Sequence, residues 1–276
     1  IATNDWDAVI ISHSQFGKIP VSKAIMEQYV NEEISHVEAA IKQIGKTFRY
    51  NRRVKNLERR RKKLEAQLQD IYCAEKKDDL VFFEELGVDQ LFVDEADEFK
   101  NLGADTKLDR IAGISQDTSQ KALDMFLKTR YINSLRGNKG IVFATGTPIA
   151  NSMVEMYTMQ KYLQYDRLDK CGLLQFDAWA STFGEVTASF EIAPDGSGYR
   201  LKQRFCKFFN LPELLQMYRE FADVRTNENL KLDVPDLAGG KPTDVATTPT
   251  ADLKAFIGDL VQRSEDIRRK KVKPCD

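Results

Sequence analysis

The sequence predicts an α/β fold: an open parallel sheet flanked by helices, with a long antiparallel helical hairpin inserted. Three observations carry that prediction. Apolar runs in "DAVIISHSQF", "QLFVDEAD" and "GIVFATGTP" each stop abruptly in polar residues, as buried parallel strands do at their carboxyl ends. Helical patterns separate the second run from the third. Between the first and second, apolar residues recur every three or four positions through two stretches broken near Gly45.

Taken in order, Ala8 to Ile11 reads as the first strand. Ile34, Val37, Ile41 and Ile44, then Val54, Leu57, Leu64, Leu68 and Ile71, mark the two hairpin helices, an inserted unit from 23 to 79. "DDLVFFEELG" reads as a short helix before the second strand. "SQKALDMFLKTRYINSLRG" is a longer one before the third, and 151–165 is helical again. Residues 1–22 and 80–165 thus form the sheet unit, and 166–232 extend it. In that extension, "TASFEIAPDGSGYRLKQRF" reads as two strands around a Pro-Asp-Gly-Ser-Gly turn. "LPELLQMYREFADV" is a helix with Pro in its first turn. Pro235, Gly239, Gly240, Pro242 and Pro249 mark 233–250 as a linker around a short strand, and a last helix runs from about Ala251 to Lys271.

Composition narrows the function classes. The chain has 276 residues, 42% of them hydrophobic and 30% charged, enough apolar material for a sizeable core. A net charge of −1 predicts no polyanionic partner by itself, so any nucleic-acid surface has to come from local clustering. Cys73, Cys171, Cys206 and Cys275 are scattered without CxxC spacing, which argues against zinc and for reduced thiols in a cytosol. No run approaches the ~18 apolar residues of a membrane span, and no secretory signal opens the chain. The chain begins without Met, directly before an expected strand, and reads as a fragment of something longer.

One motif is a decoy. "AIKQIGKT", residues 40 to 47, fits the [AG]-x-x-x-x-G-K-[ST] pattern of phosphate-binding loops. Such a loop needs a strand feeding it and glycines that bend backbone N–H groups onto a phosphate. Here Ala40 to Ile44 continue an amphipathic helix, and Gly45 sits where that helix ends. We read "IGKT" as the hairpin turn.

Two other stretches carry chemistry. In "LFVDEAD", residues 91 to 97, two acids follow a strand, where Walker B carboxylates of P-loop ATPases sit. Asp94 suits Mg²⁺, a hard cation that takes carboxylate and water oxygens, and Glu95 suits the polarising of an attacking water. A solvated acidic loop is the plainer alternative. In "IVFATGTPIANS", residues 141 to 152, a strand ends in Thr145, Gly146 and Thr147, small residues that let ligand and backbone approach closely. A helix cap after a core strand accounts for Thr147-Pro148 equally well. Function in an open parallel sheet collects at the carboxyl ends of strands, and these two ends lie 51 positions apart with a helix between them. Adjacent strands of one sheet fit that spacing.

"VDEADEFKN" and "ATGTPIANS" resemble motifs II and III of superfamily 2 helicases, closest to the Swi/Snf-like translocases. "WDAVIISHSQFGKIP", "FKNL", "ATGTPIANSMVEMYTMQKYLQ" and "FADVRTNENLKLDVP" resemble the helicase region of large mobile-element proteins that often carry an adenine-specific DNA methyltransferase module. The resemblance implies a partial RecA-like P-loop NTPase lobe from an ATP- and Mg²⁺-dependent DNA motor. Double-stranded DNA is its implied partner, with a second RecA-like lobe and a methyltransferase module in cis. It implies Asp94 as the Mg²⁺ residue, Glu95 as the water-activating acid, and Thr145, Gly146 and Thr147 as the coupling motif. Ser12, His13, Gln15 and the basic-Asn pair Lys100-Asn101 become nucleic-acid contacts; a capped loop residue is the plainer reading of His13. By that pattern no Walker A loop lies in this chain; it falls upstream of Ile1, and the arginine fingers of lobe two fall beyond Asp276. Asp97 departs from the His of many translocases, which implies altered coupling with hydrolysis retained. The expected setting is cytoplasmic.

"RYNRRVKNLERRRKK", residues 49 to 63, holds nine basic residues against one Glu, a local net charge of +8. Arg59, Arg60 and Arg61 are its densest run. Duplex backbone contact fits, because few aromatics interleave for stacking on single strands. A solvated face or an acidic partner are the alternatives. For the whole chain, a non-hydrolysing scaffold with a RecA-like core stands beside the motor, and a third reading makes the hairpin an interaction arm.

Overall fold

The computed structural model describes residues 6–44, 52–73, 81–104, 106, 111, 113–114, 118–150, 152–192, 199–230, 239–240 and 243–269. It is an α/β protein. After a one-turn helix α1 (His13–Phe16) come the long helices α2 (Lys23–Ile44) and α3 (Arg52–Cys73). Strand β1 (Leu91–Val93) is followed by a 3-10 turn at Ala96–Phe99, helix α4 (Gln120–Arg136) and strand β2 (Ile141–Phe143). Helices α5 (Val154–Leu163), α6 (Tyr165–Lys170) and α7 (Phe176–Phe183) lead into strands β3 (Gly184–Ile192) and β4 (Tyr199–Phe208). Helices α8 (Leu211–Arg219), α9 (Asn227–Leu230) and α10 (Ala251–Arg268) follow.

β1 and β2 pair in parallel, with Leu91, Phe92 and Val93 opposite Ile141, Val142 and Phe143. Helix α4 is the crossover between them. Ser119 starts it by accepting the Ala122 N–H at 3.2 Å, and Gly137 ends it at φ 58°, a left-handed cap that glycine adopts without Cβ strain. At Gly140, where the chain turns into β2, a Cβ would lie 2.4 Å from the Ile132 side chain. Only glycine lets strand and helix approach so closely.

Three apolar clusters hold the chain together. The first joins Phe16, Val93, Ala96, Phe99, Phe126 and Tyr162, so the segment before the hairpin, both strand ends and α4 share one core. A second centres on Trp179, Phe176, Phe183 and Phe205, tying α5, α7 and the base of the β3–β4 hairpin together. The third is the α2–α3 seam, with Val30, Val37 and Leu64 buried and Ile34, Ile41, Leu57 and Leu68 packed against them. Glu38 meets Arg61 at 3.9 Å. The two residues are nearly equidistant from the connection at 45–51, as an antiparallel pair requires.

The structure corrects the first strand. Residues 8–12 form no regular structure, and Val9 and Ile10 are exposed rather than buried. A parallel strand needs a neighbour for its N–H and C=O groups. Among the described residues β1 and β2 pair with each other alone, so that neighbour is missing. The helix expected over 151–165 is broken at Gln164, whose backbone (φ −131°, ψ 28°) is not helical. Residues 243–250 form no strand, and the rest of the 233–250 segment, apart from 239–240, lies outside the described residues. β3 and β4 pair antiparallel as expected, around a turn that also lies outside them.

Candidate functional site

The two motif-bearing strand ends lie side by side, and the backbone shows how. Ala144 N–H donates to Val93 C=O at 2.8 Å, and Ala96 N–H donates to Ala144 C=O at 3.0 Å. One residue of the threonine-rich end, Ala144, therefore makes both bonds flanking Asp94 and Glu95, donating one and accepting the other. Those two acids are looped off the ladder into solvent. Glu95 accomplishes this at φ 49°, ψ 49°, a left-handed conformation uncommon outside glycine. Such backbone costs about 1 kcal/mol or more, and clusters at functional sites.

Side chains complete the lock. Thr145 Oγ1 donates to Asp97 Oδ1 at 2.9 Å and itself accepts the Thr147 N–H at 3.1 Å. The Thr145 hydrogen bond holds the Asp97 carboxyl below the usual carboxylate range. Partial burial opposes it, while the Asp97 backbone, the Thr147 hydroxyl and the Lys100 charge reinforce it. Beside Gly146 the space is open: a Cβ there would meet nothing within 4 Å.

The other sequence-derived residues divide. Ser12 caps α1, accepting the Gln15 N–H at 3.3 Å and donating to Gln15 Oε1 at 3.1 Å. His13 packs its ring 5.1 Å from that of Phe99 and lies 3.8 Å from Glu98, which also pairs with Lys121. The Ser12–His13 turn thus abuts the acidic segment along an open groove that Lys18 and Asp124 also line. Lys100 points elsewhere, 3.6 Å from the buried Glu155, whose other oxygen accepts the Ala150 N–H at 2.6 Å. Asn101 is exposed, and Asn151 lies outside the described residues. On α3, Arg59 is exposed and Arg61 lies along the α2 seam between Glu38 and Glu65. The Arg60 side chain is outside the described set.

Sequence reasoning missed Lys128. It is fully buried on α4, donating to Phe16 C=O at 2.8 Å and to Asp124 Oδ2 at 2.6 Å, with its ammonium 4.3 Å from the Phe16 ring centre. Burial pushes the Lys128 ammonium down and the Asp124 carboxyl up, each toward its neutral form. Their pairing opposes both shifts. The contact fixes α1 against the core, and with it His13. Tyr162, also buried, reaches the carbonyls of Phe99 at 3.1 Å and Ala122 at 2.8 Å, tying the acidic segment to α4. Neither residue leaves a signal in the pattern of charges or apolar spacing.

For metal, the described residues hold no cluster of three His, Cys, Asp or Glu. Mg²⁺ at a nucleotide site does not need one, being held by one or two carboxylates, waters and phosphate oxygens. The exposed Asp94 carboxylate at a strand end fits that donor set. Among the described residues no helix is long and apolar enough to cross a membrane.

Known proteins give the class. Over residues 1–226 the chain matches the family described as a probable helicase domain, and it belongs to that family. It is also similar to the "Defense against restriction protein B" of Escherichia phage P1, with 24% identity over 243 residues. That alignment covers 86% of this chain and 10% of the phage protein, so the chain spans about a tenth of the relative's length. No solved structure matches.

Proposed function

We propose that this chain is part of the first RecA-like lobe of an ATP-dependent DNA helicase or translocase of the Swi/Snf-like superfamily 2 type. The observation that carries this reading is the Thr145–Asp97 hydrogen bond, which makes the acidic and threonine-rich strand ends one unit. The helicase family supports it.

In that unit Asp94 would hold Mg²⁺, and the Glu95 carboxylate would orient the attacking water and accept its proton. Bound Mg²⁺ with ATP would supply neutralisation of the charge on the phosphoryl group being transferred. Thr145, Gly146 and Thr147 sense the acidic segment through Asp97. Ser12, His13, Gln15 and Asn101 contact the DNA backbone. Lys100, paired with Glu155, positions the threonine-rich loop.

The phosphate-binding loop, a second RecA-like lobe and a methyltransferase module belong, in this reading, to the same longer polypeptide. Further chain then covers Phe92 and Val142, the exposed face of the β1–β2 pair. The phage relative is named for defence against restriction, and a role of that kind in the full-length protein is in keeping with a DNA substrate.

The test is DNA-stimulated ATP hydrolysis by the full-length protein and its Glu95→Gln variant. Turnover is expected to fall by about 10²-fold or more, the range for losing a general base, with ATP binding retained. Equal turnover in the two proteins removes Glu95 from this role, and no turnover in either favours a scaffold that does not hydrolyse ATP.

A further inference from the structure

We infer that the solvent face of α3 is a docking surface for the phosphate backbone of duplex DNA, built from Lys55, Arg59, Lys62 and Lys63. The identity of the polyanion rests on the helicase reading above; the surface itself is read from the geometry.

Steps of four and three residues separate Lys55, Arg59 and Lys62, and Lys63 is again four from Arg59. That spacing puts all four side chains on one side of the helix. The seam against α2 is the other side, where Val54 and Leu64 are buried and Leu57 and Leu68 pack. All four basic residues are exposed, and among the described residues no carboxylate forms an ion pair with them.

Arg61 provides the internal contrast. It falls in the seam register, between Leu57 and Leu64, and its guanidinium lies 3.2 Å from Glu65 and 3.9 Å from Glu38. The helix therefore satisfies the basic residue that faces its partner, while among the described residues those that face outward form no ion pair, even with the exposed Glu58 three residues from Lys55 and four from Lys62. Like charges three and four residues apart weaken an isolated helix. A polyanion relieves that repulsion.

The chemistry selects duplex backbone. At a rise of 1.5 Å per residue, Lys55 to Lys63 spans about 12 Å, along which B-DNA presents about seven phosphate charges. From Lys55 to Lys63 the sequence holds no aromatic residue, so the basic stretch itself offers no platform on which single-stranded bases could stack.

The experiment measures affinity of the full-length protein for a short fluorescein-labelled DNA duplex across a salt titration, without nucleotide. The variant combines Lys55→Gln, Arg59→Gln, Lys62→Gln and Lys63→Gln, with helix content checked by circular dichroism. Its log–log salt slope is expected to be shallower by about 3 to 4, the loss of four phosphate contacts at ~0.9 each. Arg61→Gln should keep the parental slope, and replacing the three lysines by arginine should preserve it.

An unchanged slope in a folded quadruple variant overturns the inference. So does an equal loss in Arg61→Gln, or tighter binding to a single strand than to duplex. If the quadruple variant misfolds, the lysine-to-arginine variant decides, because a shallower slope there also overturns it. Binding is read without hydrolysis. A motor that fails the Glu95→Gln test and a docking surface that fails this one are therefore distinguishable.

Discussion

Thr145 Oγ1 donates a hydrogen bond to Asp97 Oδ1 across 2.9 Å, joining the ends of two neighbouring parallel strands. Asp97 is ionised in the folded protein at pH values where an unfolded aspartate, with a pKa near 3.8, is already taking up protons. The stabilisation it provides is thus complete at neutral pH and disappears as pH falls through its lowered pKa. Thr145→Val removes the largest cause of the shift. The Asp97 carboxyl carbon, followed by NMR, should then titrate at higher pH, toward the ordinary value. An unmoved midpoint would detach Asp97 from Thr145 in solution.

The decoy phosphate loop has a direct test. α2 is helical through Ile44, so Ala40 to Ile44 are helix where a phosphate loop would need an incoming strand. Lys46 lies outside the described residues; as part of a hairpin turn rather than a phosphate loop, it should leave DNA-stimulated ATP hydrolysis by the full-length protein within about twofold when replaced by Ala. A collapse in hydrolysis would return a nucleotide to residues 40–47.

Lys128 anchors the segment that carries His13. Lys128→Met keeps the stem but takes the ammonium from Phe16 C=O, which retains the Ile19 N–H at 3.2 Å, and leaves Asp124 without its cation. Breaking a buried pair from one side costs about 3 kcal/mol, near the lower limit of the range because Asp124 is a quarter exposed. Hydrogen exchange at Gly17, whose N–H bonds to His13 C=O at 2.9 Å, should accelerate. Adding Asp124→Leu should recover much of the loss, since an apolar pair can replace a buried ionic one at little cost. Recovery of none of it would assign the cost to the Phe16 carbonyl.

These contacts also show where sequence runs out. β1 and β2 were readable because a parallel strand between helices is an unbroken apolar run that ends sharply, and the Asp-Glu and Thr-Gly-Thr tips mark those ends. The α2–α3 seam was readable from apolar residues at helical spacing, Ile34, Val37 and Ile41 on one helix and Leu57, Leu64 and Leu68 on the other, although Val30, also buried in it, was not read. Ala8 to Ile11 has the same texture as β1 but, among the described residues, no strand beside it, and partner availability is not written in a local run. Lys128 was invisible because α4 is buried almost all round, so a lysine there looks like the one exposed position of an amphipathic helix. The left-handed turn at Glu95 had no glycine to announce it.

Lys100 tests how far a motif's assigned role survives contact with geometry. The resemblance makes it a nucleic-acid contact, yet its ammonium lies 3.6 Å from Glu155, which is buried and also receives the Ala150 N–H. A lysine held this way links the acidic segment to the loop after Thr147. Lys100→Met should therefore leave the salt slope of DNA binding unchanged. It should lower stability in chemical denaturation by about 2 kcal/mol, the scale of leaving a buried carboxylate without its cation. Glu155→Gln, which keeps an acceptor for Ala150, should cost less than Glu155→Ala, which keeps none. A slope reduced by about 1 in Lys100→Met, with stability intact, would make Lys100 a phosphate contact and Glu155 merely its resting partner.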